Sequence, residues 1–141
     1  MAERTRTYTS NDEVLVRNKQ VTLTTTQTLT DADAGKEYNI ATDSLVITLP
    51  AITANNIGME FLFRNTGADG NNIVTLSPAS TDGINGSIAN AAADSVASGV
   101  VNKDLINTKA TANNGDYVKL RAVALTKWFI EGGVGIWVSQ G

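Results

Sequence analysis

Apolar and polar residues alternate with a period of two along most of the chain, which is the spacing of β-strands wet on one side. In "VTLTTTQTLT", Thr22, Thr24, Thr26, Thr28 and Thr30 fall on one face. Val21, Leu23 and Leu29 fall on the other, with Thr25 and Gln27 between them. Threonine is β-branched and suits a pleated, solvated face. "DADAGKE" supplies turn chemistry, and Gly35 can take a positive φ there. Further on, Tyr38 and Ile40 share a face, and after a turn at Thr42-Asp43 so do Leu45, Ile47 and Leu49. Pro50 ends that pairing by removing an amide donor.

The next run, "MEFLFRN", points Phe61 and Phe63 inward and Glu60 and Arg64 outward. After the turn "TGADGNN", the run "IVTLSP" sets Val74 and Leu76 on one face, and "DGING" (82–86) reads as another turn. "SIANAAADSVASGVV" (87–101) is alanine-rich, yet Ser, Asn, Asp and Gly99 interrupt it, so a long loop with at most one helical turn is expected. "DLINTKAT" reads as a strand and "ANNG" as a turn. In "GDYVKLRAVALTKWFIEGG", Val118, Leu120 and Ala122 face away from Lys119 and Arg121. Trp128 and Ile130 face away from Lys127, Phe129 and Glu131, so this stretch is a pair of adjacent strands. "GIWVSQG", with Trp137 as a core or interface anchor, is a last short strand.

Many short alternating strands at close turn spacing, with no βαβ rhythm, predict an all-β fold: an antiparallel β-sandwich or jelly roll. Its core or trimer packing falls to Tyr38, Leu45, Ile47, Leu49, Phe61, Phe63, Val118, Leu120, Trp128, Ile130 and Trp137. Residues 1–20 differ from the rest. They alternate charge and polarity around one apolar knot, Val14-Leu15-Val16, and are expected to form an extended N-terminal arm on a single domain spanning 21–141.

Composition narrows the chemistry. The 141 residues suffice for one domain, and 42% apolar content supports a packed core. With no cysteine, a disulfide framework, a thiolate nucleophile and a Cys-ligated metal are excluded. With no histidine, the commonest general base and metal ligand are missing. Net charge is −3 without clustered Lys or Arg, so no nucleic-acid partner is expected. "MAERTRTYTS" is too polar for a signal peptide, and no apolar stretch reaches the length of a membrane span, so no membrane partner is expected either.

Carboxylate spacings such as Asp31, Asp33 and Asp43 suit a glycosidase or a calcium site on paper, but they sit in turns where Asp caps local amides. "NTGADGNN" (65–72) lacks the distant Glu and ligand order of a calcium loop, and Gly67 and Gly70 lead into a strand rather than a helix, so neither cation nor phosphate binding follows. Tyr8, Tyr117, Phe129 and Trp137 are too scattered for a glycan-stacking face. No cofactor, no metal and no enzyme activity are expected, because nothing positions a base beside a serine.

"LTDADAGKEYNI", "VITLPA" and "IGMEFLFRN" are similar to a recurrent β-sandwich domain of tailed-bacteriophage virion proteins. In that domain an "LT..D.GK" turn precedes a strand ending "TLP", followed by a "G..F.F" strand. "DGINGS" resembles its turn before a variable middle, and "GDYVKLRAVALTKWFIEG" its closing strand pair. The likeness covers about Leu29 to Gly132; where the family commonly has an Asp-Gly turn before Lys-Trp, this chain has Ala124-Leu125-Thr126. Short chains of this kind resemble capsid decoration, or cement, proteins. The resemblance implies a homotrimer on the outer capsid surface of the virion, made in the host cytoplasm, that bridges major capsid protein subunits. The capsid contact is expected to include Arg4, Arg6, Tyr8, Val14, Leu15 and Val16. The alternative the same family offers is a receptor- or glycan-binding domain of a tail or head fibre.

Overall fold

The alternation folds as strands, but their order is not that of stacked hairpins. The computed structural model describes residues 18–91 and 93–140. β1 (Gln20–Leu23), β3 (Glu37–Ile40) and β5 (Glu60–Asn65) lie in one sheet, while β2 (Gln27–Thr28), β4 (Leu45–Thr48) and β6 (Val74–Ser77) lie in the other. The chain therefore crosses between layers after every strand, and each strand stacks in parallel on the one two steps before it. The expected purely antiparallel pairing gives way to mixed sheets. The turn at Thr42-Asp43 carries the chain across the gap between layers, from β3 to β4, with Ser44 at φ 65°.

The second half completes both layers. β7 (Gly83–Ile88) and β8 (Ser95–Val101) form an antiparallel pair, β9 (Leu105–Asn107) joins β6, and β10 (Tyr117–Ala124) and β11 (Lys127–Val134) are the adjacent strands anticipated. β12 (Val138–Ser139) pairs with β9. The larger sheet runs β1-β3-β5-β10-β11-β7-β8 and the smaller β12-β9-β6-β4-β2. The two pack as an all-β sandwich. Leu125 and Thr126 make the connection between β10 and β11, and Thr126 takes the left-handed conformation (φ 62°).

The inward set forms one core. Tyr38, Leu45, Ile47, Leu49, Phe61, Phe63, Val118, Leu120, Trp128 and Trp137 are all buried, and Ile130 packs against them half-buried. Register explains the aromatic centre: Tyr38 lies opposite Phe63 across β3–β5, and Phe61 opposite Leu120 across β5–β10. Ring centroids lie 5.6 Å apart for Tyr38–Phe63, 5.9 Å for Phe61–Phe63 and 5.9 Å for Phe61–Trp128, the separations of favourable offset and tilted pairs. Burial, followed by the charge of Asp33, pushes the Tyr38 phenol up to about 12, and its hydroxyl donates to the Asp33 carbonyl.

Two expectations fail in the middle of the chain. "DGING" is strand β7 after its first residue, and "SIANAAADSVASGVV" yields strand β8 rather than a loop. Glycine at Gly83 serves close approach, because a Cβ there would stand 2.3 Å from the Gly99 carbonyl oxygen and 2.8 Å from its carbon. Gly83→Ala must push β7 off β8 and is expected to cost about 2 kcal/mol in urea denaturation. Gly132→Ala, where a Cβ meets nothing within 4 Å, should change stability by no more than about 0.5 kcal/mol. Equal effects from the two would refute the packing argument.

Candidate functional site

The acidic residues with the spacing of a catalytic or cation site are occupied in shaping turns. The Asp33 carboxylate accepts the Thr30 backbone N–H at 2.8 Å, closing the short 3-10 turn Asp31–Asp33, and Asp31 accepts the Asn56 amide at 3.0 Å. Asp43 accepts the Ile73 N–H at 2.8 Å and pairs with Lys109. The Lys109 contact first, and the Ile73 N–H second, hold its carboxyl below the usual range. Asp69 accepts the Asn114 N–H at 2.7 Å, which ties the 65–72 loop to the turn before β10. Asp82 is fully buried, accepting the Ile52 N–H at 3.0 Å. Among the described residues, no group of three or more acidic side chains could hold a metal ion.

The outer face of the larger sheet is a lattice of mixed charge. Glu60 pairs with Arg121 and Lys119, Arg121 also approaches Glu131, and the Arg64 guanidinium lies 4.8 Å from the Tyr117 ring centre. These groups are substantially solvated, so each pair contributes little. Glu37 is held low by the Asn18 amide and then by Gln20. Of the four rings considered for glycan stacking, Trp137 is buried, Tyr117 and Phe129 are half-buried on this face, and Tyr8 lies outside the described residues.

A polar network closes one end of the sandwich. Asn65 continues the inward phase of Phe61 and Phe63, and Asn107 that of Leu105. The Asn65 amide donates to Asn107 Oδ1 at 2.7 Å. Asn107 donates in turn to Asp116 Oδ2 at 3.0 Å and to the Ile136 carbonyl at 3.1 Å. Asn72 donates to Asn65 Oδ1 at 3.1 Å and to the Ile40 carbonyl at 3.1 Å. The Trp137 N–H bonds Ser95 Oγ at 3.0 Å, so the C-terminal segment is pinned to both β9 and the start of β8.

Beside that pinned segment lies the feature that alternation alone did not reveal. β8 and β12 are the terminal strands of their sheets, on the same side of the molecule, and a groove of about 710 Å3 runs between them. Ala93, Val96, Ile136 and Val138 give it an apolar lining. Val96 is 60% exposed, Val138 46% and Ile136 42%, and Val100 and Val101 are exposed further along β8. The signal was present in "SVASGVV": small Ser95 and Ala97 turn inward while Val96 turns out, the reverse of the usual order. Arg4, Arg6, Tyr8, Val14, Leu15 and Val16, expected at a capsid contact, lie outside the described residues.

No helix among the described residues is long and apolar enough to cross a membrane. No protein-family model and no curated protein matches the chain.

Proposed function

We propose that the chain is a virion structural protein that decorates the outer surface of a phage capsid and stabilises it, as a homotrimer bridging major capsid protein subunits. The observation that carries this reading is the contrast between its surfaces. Its turn carboxylates are spent on backbone N–H groups, while valines and an isoleucine stand exposed along one edge, as suits a protein that binds other proteins. The turn and strand motifs shared with phage virion domains point the same way.

On this reading the mechanism is mechanical. A trimer holding several capsid subunits makes each further contact at high effective concentration. Because it binds only the assembled lattice, it stabilises that lattice by mass action. The N-terminal arm, with Arg4, Arg6, Tyr8 and the Val14-Leu15-Val16 knot, supplies part of the capsid contact. The purified chain is expected to co-sediment with empty expanded capsids and not with host cells. A chain lacking the arm should stay folded and trimeric and lose capsid binding. Binding to host cells or glycans in place of capsids would transfer the protein to the fibre class, and undiminished capsid binding by the shortened chain would remove the arm from the contact.

A further inference from the structure

The outer faces of the two sheets differ in charge, and the difference bears on where copies of the chain meet. We propose that the outer face of the smaller sheet is the surface through which three copies pack about a threefold axis, with the larger sheets turned to water. This rests on the homotrimer of the proposed function and adds which face builds it.

Register assigns the face. In β4, β6 and β9 buried residues alternate with Val46, Thr48, Thr75, Ser77 and Ile106, which therefore point outward. Val138, Ile106, Thr75 and Val46 stand side by side across four strands, and Thr28, Thr48 and Ser77 form the next row. The first row is aliphatic but for one threonine, and Val138 is 46% exposed. Its side chains are all β-branched, so they are short and stiff and lose little rotamer freedom when covered. Among the described residues, no outward position of β2, β4, β6, β9 or β12 carries a charge. Asp43, which pairs with Lys109, and Asp104 lie outside these strands.

The larger sheet is the opposite. Glu60, Arg64, Lys119, Arg121 and Lys127 point outward from it, and Glu60 already pairs with Arg121 and Lys119.

Symmetry decides between the two faces. Where a threefold axis passes, each residue approaches its own counterparts in the other copies, so a charged group there meets its like. An axis over the larger sheet would set Arg121 against Arg121 and Glu60 against Glu60. An axis over the smaller sheet brings together threonines, valines and isoleucines. Each chain also carries a net charge of −3, and a neutral contact adds nothing to the repulsion between copies. A different protein is under no such restriction, since it can answer each charge with the opposite one. Charge depletion combined with apolar side chains is the composition of an interface between copies.

The absence of cysteine allows a direct test, because Thr75→Cys then introduces a single thiol. In the full-length protein a short thiol–thiol cross-linker should join Thr75→Cys to itself as a covalent dimer. Lys127→Cys, on the outer face of the larger sheet, should stay uncoupled. In sedimentation velocity the unmodified chain should be a trimer. Thr75→Lys and Val138→Lys should each weaken association ~100-fold, by placing an ammonium among apolar groups and against its own copies, with the far-UV circular dichroism unchanged. Val138 is the more exposed of the two, so its variant keeps the test decisive if Thr75→Lys fails to fold. Lys127→Thr should leave the trimer intact. A trimer indifferent to the introduced lysines, or cross-linking through Lys127→Cys and not through Thr75→Cys, would overturn the inference, leave the homotrimer standing and give the face to another partner. A monomeric or dimeric unmodified chain would overturn the homotrimer itself, and this inference with it. No capsid enters the assay, so its result is independent of capsid binding.

Discussion

Asn107→Ala is expected to lower the unfolding free energy by about 3 kcal/mol, as large a loss as a buried apolar truncation, although no apolar group is removed. The Asn107 side chain serves three partners at once: it accepts from Asn65 and donates to Asp116 and to the Ile136 carbonyl. Asn65, Asn107 and Asp116 are all buried, so water cannot replace what is lost. At roughly 3 °C per kcal/mol for a chain of this size, the midpoint should fall by roughly 9 °C. The loss has a local signature as well. With the Ile136 carbonyl released, the neighbouring Trp137 should become accessible, and its fluorescence should shift to the red under native conditions before global unfolding. A loss under about 1 kcal/mol would show that the network is decoration on an end held by other contacts.

Trp128→Ala should cost about 4 kcal/mol, the range for truncating a fully buried tryptophan. The indole lies against Phe61, whose ring also stacks on Phe63 and touches Tyr38, so the cavity would open within the aromatic centre where both halves of the chain meet. Trp128→Phe separates packing from hydrogen bonding. The indole N–H is buried and has no partner among the described residues, so phenylalanine forfeits volume and no hydrogen bond seen there. Its cost should be about 1 kcal/mol, within the range of hydrophobic swaps that nearly preserve shape. Equal losses for the two variants in urea denaturation would contradict a packing role.

How far the sequence disclosed this arrangement depends on which physical signal is asked. Inward and outward phases were legible because burial acts residue by residue: Tyr38, Phe61, Phe63, Val118, Leu120 and Trp128 all lie where alternation puts them. Strand direction was not legible, since parallel and antiparallel strands share the period of two and differ only in what their neighbours are. Asn65 and Asn107 were read as parts of a turn and a strand by residue type, yet both occupy inward positions, and the phase of the preceding apolar residues would have placed them inside. The apolar edge was obscured for a related reason. Alanine and glycine around β8 suggest a loop, while in the sheet Gly83 lets its strand approach the Gly99 backbone and Gly99 leaves room for the Asn85 side chain. The arm's candidate contacts, Arg4 to Val16, lie outside the described residues, and their assignment remains the proposal made above.

The alternation of strands between layers also sets an order of assembly on the ribosome. β1 to β6 each find one partner among themselves, but β6 must also wait for β9, and β5 waits longest, for β10, since Tyr117 pairs with Arg64 from 53 positions later. Until then the edge bearing Phe61 and Phe63 has no neighbour on that side, so a nascent chain stopped short of Tyr117 carries an open aromatic border. Arrival of the last hairpin turns that border into the middle of a sheet.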